Sequence, residues 1–519
     1  VRRLIKQLFE RIERVFDAAF APAWNPFHHL GALGWYFFWI VLVSGIYLYI
    51  FFDTGIVNAY QSIDAITHAQ WYAGGVMRSL HRYASDALVV VVFIHIAREW
   101  GKDRYRGARW FAWFTGVPVL WFIYICGISG YWLVWDELAQ YIAIGTTEWL
   151  DTLGIFGEPI ARNFLNGEAL SDRFFTLMVF VHIMVPLFML FLMWIHIQRN
   201  SYAKINPPTG LAVGTLATMT VLAFVFPALS QAPANLNTVV TSVDLDWFYL
   251  AAYPLLDILP GGWLWAGFGA GTVVLALVPW LPRLRRLAPA QVSLPNCNGC
   301  ARCVADCPFN AIEMHARSDG LAFEQEAVVD ADNCVGCGVC MGSCPTATPF
   351  RRTGGLVAGI ELPDFSVAAL HAQTLAATEG LHGEARVLIF GCLQGPPIER
   401  LAGESVGTVR LRCSGQLPPS FIDFVITRAH ADGVIVAGCR AGDCHYRLGG
   451  QWARARLAAT RDPQLRARVP RARFEQVWVG SSGGNQLQQA LAQLRERLRT
   501  LGAYRRAEAT AARRESEHA

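Results

Sequence analysis

Between residues 30 and 282 the chain carries six apolar runs rich in Trp and Phe, at 30–52, 84–100, 110–134, 173–197, 209–229 and 262–282. A bilayer core takes about 20 apolar helical residues to cross. Lipid offers no partner to a free backbone N–H or C=O, so runs of this length are expected as helices. The expected fold of this half is a membrane all-α helical bundle of six spans. Of the 519 residues, 53% are hydrophobic and 16% charged, whereas soluble domains run at about a quarter charged. That excludes a disordered chain, a collagen-like fibre and an ordinary soluble enzyme. The net charge of +4 is small and no basic stripe interleaves with aromatics, so nucleic acid is not an expected partner.

Lysine and arginine gather on the cytoplasmic side of membrane proteins. Arg2, Arg3, Lys6, Arg11 and Arg14 precede the first run, and Arg98, Lys102, Arg104, Arg106 and Arg109 follow the second. Arg199 and Lys204 follow the fourth, and Arg283, Arg285 and Arg286 the sixth. With six spans all four groups share one side. The opposite loops carry Asp53, Asp64, Asp136, Glu137, Glu148, Asp151, Glu158, Asp244, Asp246 and Asp257. A multi-pass protein of the inner (cytoplasmic) membrane is expected, with both termini and everything after residue 290 in the cytoplasm. Residues 1–20 are amphipathic and basic without a cleavage-site pattern, and read as an interfacial helix rather than a signal peptide. The membrane domain is then 21–289.

His81 and His95 belong to the second span, His182 and His196 to the fourth. Each pair is fourteen residues apart, close to four whole helical turns, so both members face one way about 21 Å apart along the axis. Two such helices side by side make two His–His sites, each fit to hold a haem b iron from both axial directions: His81 with His182 outside, His95 with His196 inside. Interhelical polar glue is the competing reading, but ionisable side chains within spans are costly and default to function. Gly31 and Gly45 in the first span, and Gly116 and Gly130 in the third, repeat the spacing of fourteen. A flat macrocycle needs neighbours without side chains at its closest approach. Arg78 and Arg98 each lie three residues from a histidine ligand, placed to pair with haem propionates or to serve as a plain charged rim.

Residues 20–285 resemble the cytochrome b subunit of quinol-oxidising cytochrome bc complexes. The paired histidines, the paired glycines and the segment Gly130-Tyr131-Trp132-Leu133-Val134-Trp135 carry the likeness. Asp246-Trp247-Phe248-Tyr249, between spans five and six, resembles the Pro-Glu-Trp-Tyr motif lining that family's outer quinol site, with Leu245 for the proline, Asp246 for the glutamate and Phe248 for the tyrosine. The resemblance implies a quinone substrate, a homodimer, and Asp246, Trp247 and Phe248 at the site. Quinol oxidation releases protons to a base within hydrogen-bond reach, and Asp246 and Glu137 are the candidate acids. Arg173 is not at the offset from His182 that the family's arginine has, and the last two spans of the long cytochrome b form are missing.

Twelve of the thirteen cysteines follow residue 290; Cys126 alone sits in the apolar half. Cys297, Cys300, Cys303 and Cys307-Pro308 repeat the spacing of Cys334, Cys337, Cys340 and Cys344-Pro345. This is the bacterial two-cluster ferredoxin pattern, in which the fourth cysteine of each run ligates the other cluster. One [4Fe–4S] cluster is expected on Cys297, Cys300, Cys303 and Cys344, the other on Cys334, Cys337, Cys340 and Cys307. Structural zinc is the competing reading. Residues 290–352 thus form an expected soluble α+β ferredoxin domain, with room in 309–333 for a small hairpin, and 353–383 a linker.

From residue 384 the pattern turns to alternating strands and helices, as in an α/β sheet. Expected strands at 387–390, 409–412 and 433–437 lead into Cys392, Cys413 and Cys439, and Cys444 follows closely. Loops at strand C-termini cluster in space, and four thiolates in one crevice suit a [2Fe–2S] cluster. Residues 384–505 resemble the small iron–sulfur (delta) subunit of methyl-viologen-reducing hydrogenases through Cys413-Ser414-Gly415, Gly438-Cys439, Gly442-Asp443-Cys444-His445-Tyr446 and Gly450. That family often has two cysteines where only Cys392 stands here. The resemblance implies one [2Fe–2S] cluster and a flavin-bearing, heterodisulfide-reductase-like partner, with His445 a hydrogen-bond partner rather than a ligand. Residues 506–519 read as a charged tail.

No nucleophile–base pair, phosphate loop, nucleotide fingerprint or covalent-haem motif is present. The expected parts are two haems, two [4Fe–4S] clusters and one [2Fe–2S] cluster in an electron-transport subunit of a quinone-linked respiratory complex. The alternatives are a quinol-bifurcating cytochrome b with an outer high-potential acceptor, the membrane anchor of a hydrogenase or formate dehydrogenase, and an anchor subunit with vestigial haem pockets.

Overall fold

The computed structural model describes residues 1–155, 157, 159–160, 172–281, 287–351, 355–440 and 442–504, and side chains within these except at 108, 173 and 174. Glu158, Arg283, Arg285, Arg286 and the expected tail at 506–519 lie outside the described residues. The chain divides into two compact units. The first comprises Val1–Ile5, Ala19–Gln198 and Ala203–Leu284; the second comprises Lys6–Ala18, Arg199–Tyr202 and Arg285–Ala519.

In the first unit, five helical stretches are long and apolar enough to cross a membrane: Leu30–Phe51, Trp71–Gly101, Trp110–Val134, Phe175–Ile197 and Gly261–Trp280. The run expected at 209–229 folds as a helix of only 17 residues, Thr209–Val225. Phe226 leaves the helix before Pro227, as a residue preceding proline tends to. Its length is at the lower edge of what crosses a bilayer. The six expected spans are therefore five long helices and one short one.

We label the helices of this part α1 (Arg2–Trp24), α2 (Leu30–Phe51), α3 (Asn58–His68), α4 (Val76–Gly101), α5 (Trp110–Val134), α6 (Glu137–Asp151) and α7 (Asp172–Ile197). Then follow α8 (Thr209–Val225), α9 (Trp247–Leu250), α10 (Tyr253–Leu256) and α11 (Gly261–Leu277). Helix α4 begins eight residues before the expected span at 84, because Arg78, Arg82 and Asp86 interrupt the apolar run without interrupting the helix. That places His81 within α4. Helix α2 packs on α4, and α5 on α7. The core between them is built from Leu33, Phe37, Leu80, Ala84, Ile123 and Met189. Helix α6 starts at Asp136, whose carboxylate accepts the Ala139 N–H at 2.9 Å, an N-cap that satisfies an otherwise orphaned donor.

The second unit begins with the middle of α1. Its Glu13 is fully buried and takes Arg440, which also pairs with Asp17 at 2.7 Å, while Ser481 donates to Glu10 at 2.6 Å. The acidic face of the helix expected to be interfacial is thus engaged by the C-terminal part of the chain. Strand β1 (Gln291–Val292) pairs with β4 (Ile360–Glu361), and β2 (Ile312–Ala316) with β3 (Gln325–Val329), the hairpin expected within 309–333. The stretch 353–383 was expected as a linker. Instead it contributes β4 and the helix α14 (Val367–Glu379), which follows α12 (Arg302–Asp306) and α13 (Val339–Ser343). Val367 and Leu370 join the same core as Met341, Phe390 and Phe421, so no linker separates the two halves of this unit.

Strands β5 (Val387–Cys392), β6 (Val406–Leu411), β7 (Gly433–Gly438) and β8 (Phe474–Trp478) form a parallel sheet in the order β6-β5-β7-β8. Strands β5 and β7 are buried throughout, which their unbroken Val, Leu and Ile runs require. Helices α15 (Ser420–Thr427), α16 (Gly449–Leu457) and α17 (Gly484–Leu501) complete the domain. Leu487, Leu491, Leu494 and Leu498 of α17 form a buried stripe with Val387, Ile389 and Ile435.

Candidate redox centres

Helices α4 and α7 bring His81 and His182 together with ring centroids 6.3 Å apart. Two metal–imidazole bonds of about 2 Å each, with the half-widths of two rings, come to about this span. The other edge of each ring is held. His81 Nδ1 lies 2.9 Å from the Val41 carbonyl oxygen, and His182 Nδ1 lies 3.0 Å from that of Cys126. A carbonyl accepts only from N–H, so Nδ1 carries the proton and Nε2 keeps its lone pair for a metal. The Ser44 and Ser129 hydroxyls stand 3.1 Å from the same two nitrogens. His196 Nδ1 meets Thr115 Oγ1 at 3.2 Å, and His95 is near enough to interact with His196 electrostatically.

The four glycines fall opposite the four histidines, one to one. A Cβ on Gly130 would lie 2.8 Å from His182 Cε1, on Gly45 3.0 Å from His81, on Gly116 3.3 Å from His196 and on Gly31 3.7 Å from His95. Here they clear space for the imidazoles themselves, whereas their spacing alone suggested room for a flat macrocycle. Arg78 donates to Thr67 Oγ1 at 2.5 Å and to Ser230 Oγ at 2.8 Å. Arg98 is buried beside Glu99 at 3.3 Å.

Asp246 is buried at the start of α9. It accepts the Phe248 N–H at 2.8 Å, the Tyr131 hydroxyl, and Arg82 Nη2 at 3.1 Å. Trp247 and Phe248 stay 67% and 48% exposed beside it, an apolar platform next to a charged group. Glu137 stands instead in the first turn of α6, its N–H on the Ala232 carbonyl oxygen. Arg82 and Tyr131 were missed as site residues: nothing local links either to a residue more than a hundred positions away.

In the second unit, each cysteine run follows the same backbone course. Gly299 and Gly336 both adopt positive φ (64° and 63°), followed by Ala301 and Gly338 (57° and 77°). These turns lie between the first and third cysteines of each run; the third, Cys303 or Cys340, sits within α12 or α13, and the fourth, Cys307 or Cys344, follows the end of that helix. One cavity is lined by Cys307, Cys334, Cys337 and Cys340, with Pro308 and Leu362. The Cys303 thiol interacts with Cys297, Cys300 and Cys344. Both exchanged sets expected from the spacing are thus brought together. Burial, and then the neighbouring thiols, push the Cys303 and Cys337 thiols up to about 12. Backbone N–H groups of Ala311 and Ala290 donate to the Cys307 and Cys334 sulfurs at 3.3 and 3.4 Å.

Cys392, Cys413 and Cys439 stand at or just beyond the C-terminal ends of β5, β6 and β7. The order β6-β5-β7 makes a topological switch point between β5 and β7, where open α/β sheets hold ligands. Cys392 and Cys439 straddle it with sulfurs 3.7 Å apart. The thiols of Cys392 and Cys444 each interact with those of Cys413 and Cys439. As the receiving members, Cys392 and Cys444 are drawn well below the usual thiol range, while Cys413 and Cys439 are pushed well above it. Gly449 is close enough to Cys413 that a Cβ would fall 2.2 Å from its sulfur. Gly450 N–H donates to Cys444 Sγ at 3.4 Å. The His445 ring packs edge-on against Tyr446.

Among the described residues no group of three or more His, Cys, Asp or Glu side chains closes as a shell around one ion. The thiol sets fit clusters by their number, softness and enclosure. Cys337 and Val339, beside one set, pack directly on Cys413 of another. Arg456 spans the same seam: fully buried, it donates to Gly415 O at 2.8 Å and pairs with the buried Asp306.

Comparison with known proteins gives three matches, in chain order. Residues 15–201 match the family described as cytochrome b/b6/petB, residues 296–348 the 4Fe-4S dicluster domain, and residues 399–502 the delta subunit of methyl-viologen-reducing hydrogenase. The chain is similar to cytochrome b of Rhodospirillum rubrum, 24% identical over 50% of this chain and 70% of that one. It is also similar to cytochrome b6 of Stigeoclonium helveticum, 26% identical over 36% and 87%. A solved structure described as hyperthermophilic respiratory Complex III aligns with a TM-score of 0.41 at 19% identity, over 52% of this chain and 80% of that one. The expected fusion is therefore present: a cytochrome b-like membrane part, a dicluster ferredoxin part and a delta-subunit-like part. This is a multi-pass membrane electron-transfer subunit of a redox complex, with haem b and iron–sulfur clusters as the implied cofactors.

Proposed function

We propose that this subunit links the quinone pool, through two b haems, two [4Fe–4S] clusters and one [2Fe–2S] cluster, to a cytoplasmic, flavin-bearing partner of the heterodisulfide-reductase kind. The observation that carries the reading is the facing pair His81 and His182, each with Nδ1 tied to a backbone carbonyl and Nε2 left for iron. When bound, the haems and clusters supply one-electron transfer. The residues do the rest. His81 with His182, and His95 with His196, would hold the two haem irons. Cys297, Cys300, Cys303 and Cys344, then Cys334, Cys337, Cys340 and Cys307, hold the cubanes; Cys392, Cys413, Cys439 and Cys444 hold the binuclear cluster.

The packing of Cys337 and Val339 on Cys413 supports a route between a cubane site and the last site without a solvent gap. Asp246 holds or takes the proton of a quinol hydroxyl beside the Trp247 and Phe248 platform. The delta-like part presents the partner's docking side. Its match to a hydrogenase subunit, and the ring of four thiols, support that choice of partner over a high-potential outer acceptor.

Positive-charge placement supports a cytoplasmic position for both termini and the cluster domains. Electrons moving outward to a quinone then run downhill in an inside-negative membrane, by about 2.3 kcal/mol per charge per 100 mV. The test is quinone reduction by the protein in sealed vesicles, driven by a dye reduced on the cluster side, with and without an imposed potential. The proposal expects the rate to rise when the cluster side is made negative. A rate indifferent to the potential contradicts it.

A further inference from the structure

Four ionisable groups meet beside the Trp247 and Phe248 platform, and only Asp246 was expected there. Arg82 of α4 reaches Asp86 through Nε at 3.3 Å and Asp246 through Nη2 at 3.1 Å. The two carboxyl groups are thus held by one guanidinium. The Asp246 side chain is 1% exposed and that of Asp86 16%. Asp86 Oδ1 is buried with no donor among the described residues. Tyr131 of α5 donates to Asp246, and the Arg82 guanidinium lies 4.8 Å above the Tyr131 ring. Tyr249 of α9 bonds to Ser85, next to Asp86, with oxygens 2.6 Å apart.

Asp86 Oδ1 is an acceptor without a donor, and it could bond to a neighbouring carboxylate only if one of the two carried a proton. Two negative charges beside one guanidinium also repel in a medium of low dielectric. One shared proton resolves both conflicts: the group becomes neutral overall, and the bare Asp86 oxygen acquires a hydrogen to share. Carboxyl dyads elsewhere behave in this way, with protons that belong to the pair rather than to either member.

We propose that Asp86 and Asp246 form a proton-sharing carboxyl pair, clamped by Arg82, that relays protons between a quinone and the aqueous phase. This rests on the quinone reading above and extends it to a second acid. In quinol oxidation a quinol O–H bond breaks, its proton goes to Asp246, and the resident proton leaves through Asp86. Two such passages and two electrons, delivered singly to the haem side, convert one quinol to quinone. Quinone reduction runs the same steps in reverse. Asp246 is the acid that touches substrate; Asp86 acts through it.

The experiment is redox-difference infrared spectroscopy on the full-length holoprotein, in light and heavy water, joined to quinol-driven haem reduction. The wild type is expected to show a protonated-carboxyl band that shifts in heavy water and is lost in both Asp86→Asn and Asp246→Asn. Asp86→Asn is expected to slow haem reduction by quinol about 100-fold, a typical contribution of acid–base groups, with haem spectra unchanged, and Asp86→Glu to restore most of the rate. No such band in the wild type, or full speed in Asp86→Asn, overturns the proposal. Should the wild type not react with quinol at all, the quinone reading fails, and the infrared band alone decides whether the pair shares a proton.

Discussion

The two units hold their candidate metal ligands by opposite means. In the first, histidines sit on long helices; α4 packs on α2 and α7 on α5, and His81 and His182, about a hundred residues apart in sequence, face each other from the two pairs. In the second, three cysteines at a time lie within seven residues of chain whose course needs positive φ at Gly299 and Ala301, or at Gly336 and Gly338. A helix-borne site is set by tertiary packing, so its weak points are the glycines where helices touch. A loop-borne site is set locally, so its weak points are the ligands and the seams between loops.

The largest expected effect is loss of a centre. His182→Ala should remove the haem shared with His81 and leave the other, read as half the b-type absorbance with the cluster signals intact. Cys307→Ala should instead remove the cluster held by Cys334, Cys337 and Cys340, seen by electron paramagnetic resonance. Loss of the cluster in its own run would break the exchanged assignment.

Next come the seams. Arg456 and Asp306 are 1% and 3% exposed, and breaking one side of a buried pair typically costs about 3–5 kcal/mol. Arg456→Met should lower the urea midpoint for cluster bleaching accordingly, while leaving haem loss where it was.

The glycines should follow a graded order. Adding a methyl at Gly130, 2.8 Å from His182, should distort the haem signal most; Gly45 and Gly116 should follow; Gly31, at an ordinary 3.7 Å, should be silent. Equal effects at Gly130 and Gly31 would mean that imidazole clearance is not what these positions supply.

The smallest effect concerns pH. Arg410 bonds Glu399 and holds its carboxyl below the usual range. Such a pair stabilises at neutral pH, and its contribution is lost as pH falls through the lowered value. Glu399→Gln should therefore soften the acid limb of soluble-unit stability slightly and leave the alkaline limb unchanged.

Much of this was readable before the fold was known, wherever the signal was local or periodic. Fourteen-residue spacing maps onto helix geometry, and both cysteine runs carry their turns within a few residues. The third thiol set was readable because strands β5, β6 and β7 end where their apolar runs end. What was not readable depended on distant packing. Charge at Arg78, Arg82 and Asp86 hid the true start of α4. Pro227 shortened the fifth run to 17 residues. The stretch expected as a linker lacks a strong pattern because its Val367 and Leu370 fill a core built mostly by other segments. The encounter of Arg82 and Asp86 with Asp246 crosses about 160 positions with no local mark.

In the proposed function electrons pass within one molecule from the thiolate sites to the histidine sites. Flash reduction of the clusters by a photoexcited dye, followed optically at the b haems over a range of protein concentrations, tests this directly. The prediction is haem reduction at a rate independent of protein concentration. A rate proportional to concentration, or haems that stay oxidised while the clusters hold electrons of sufficient driving force, would contradict it.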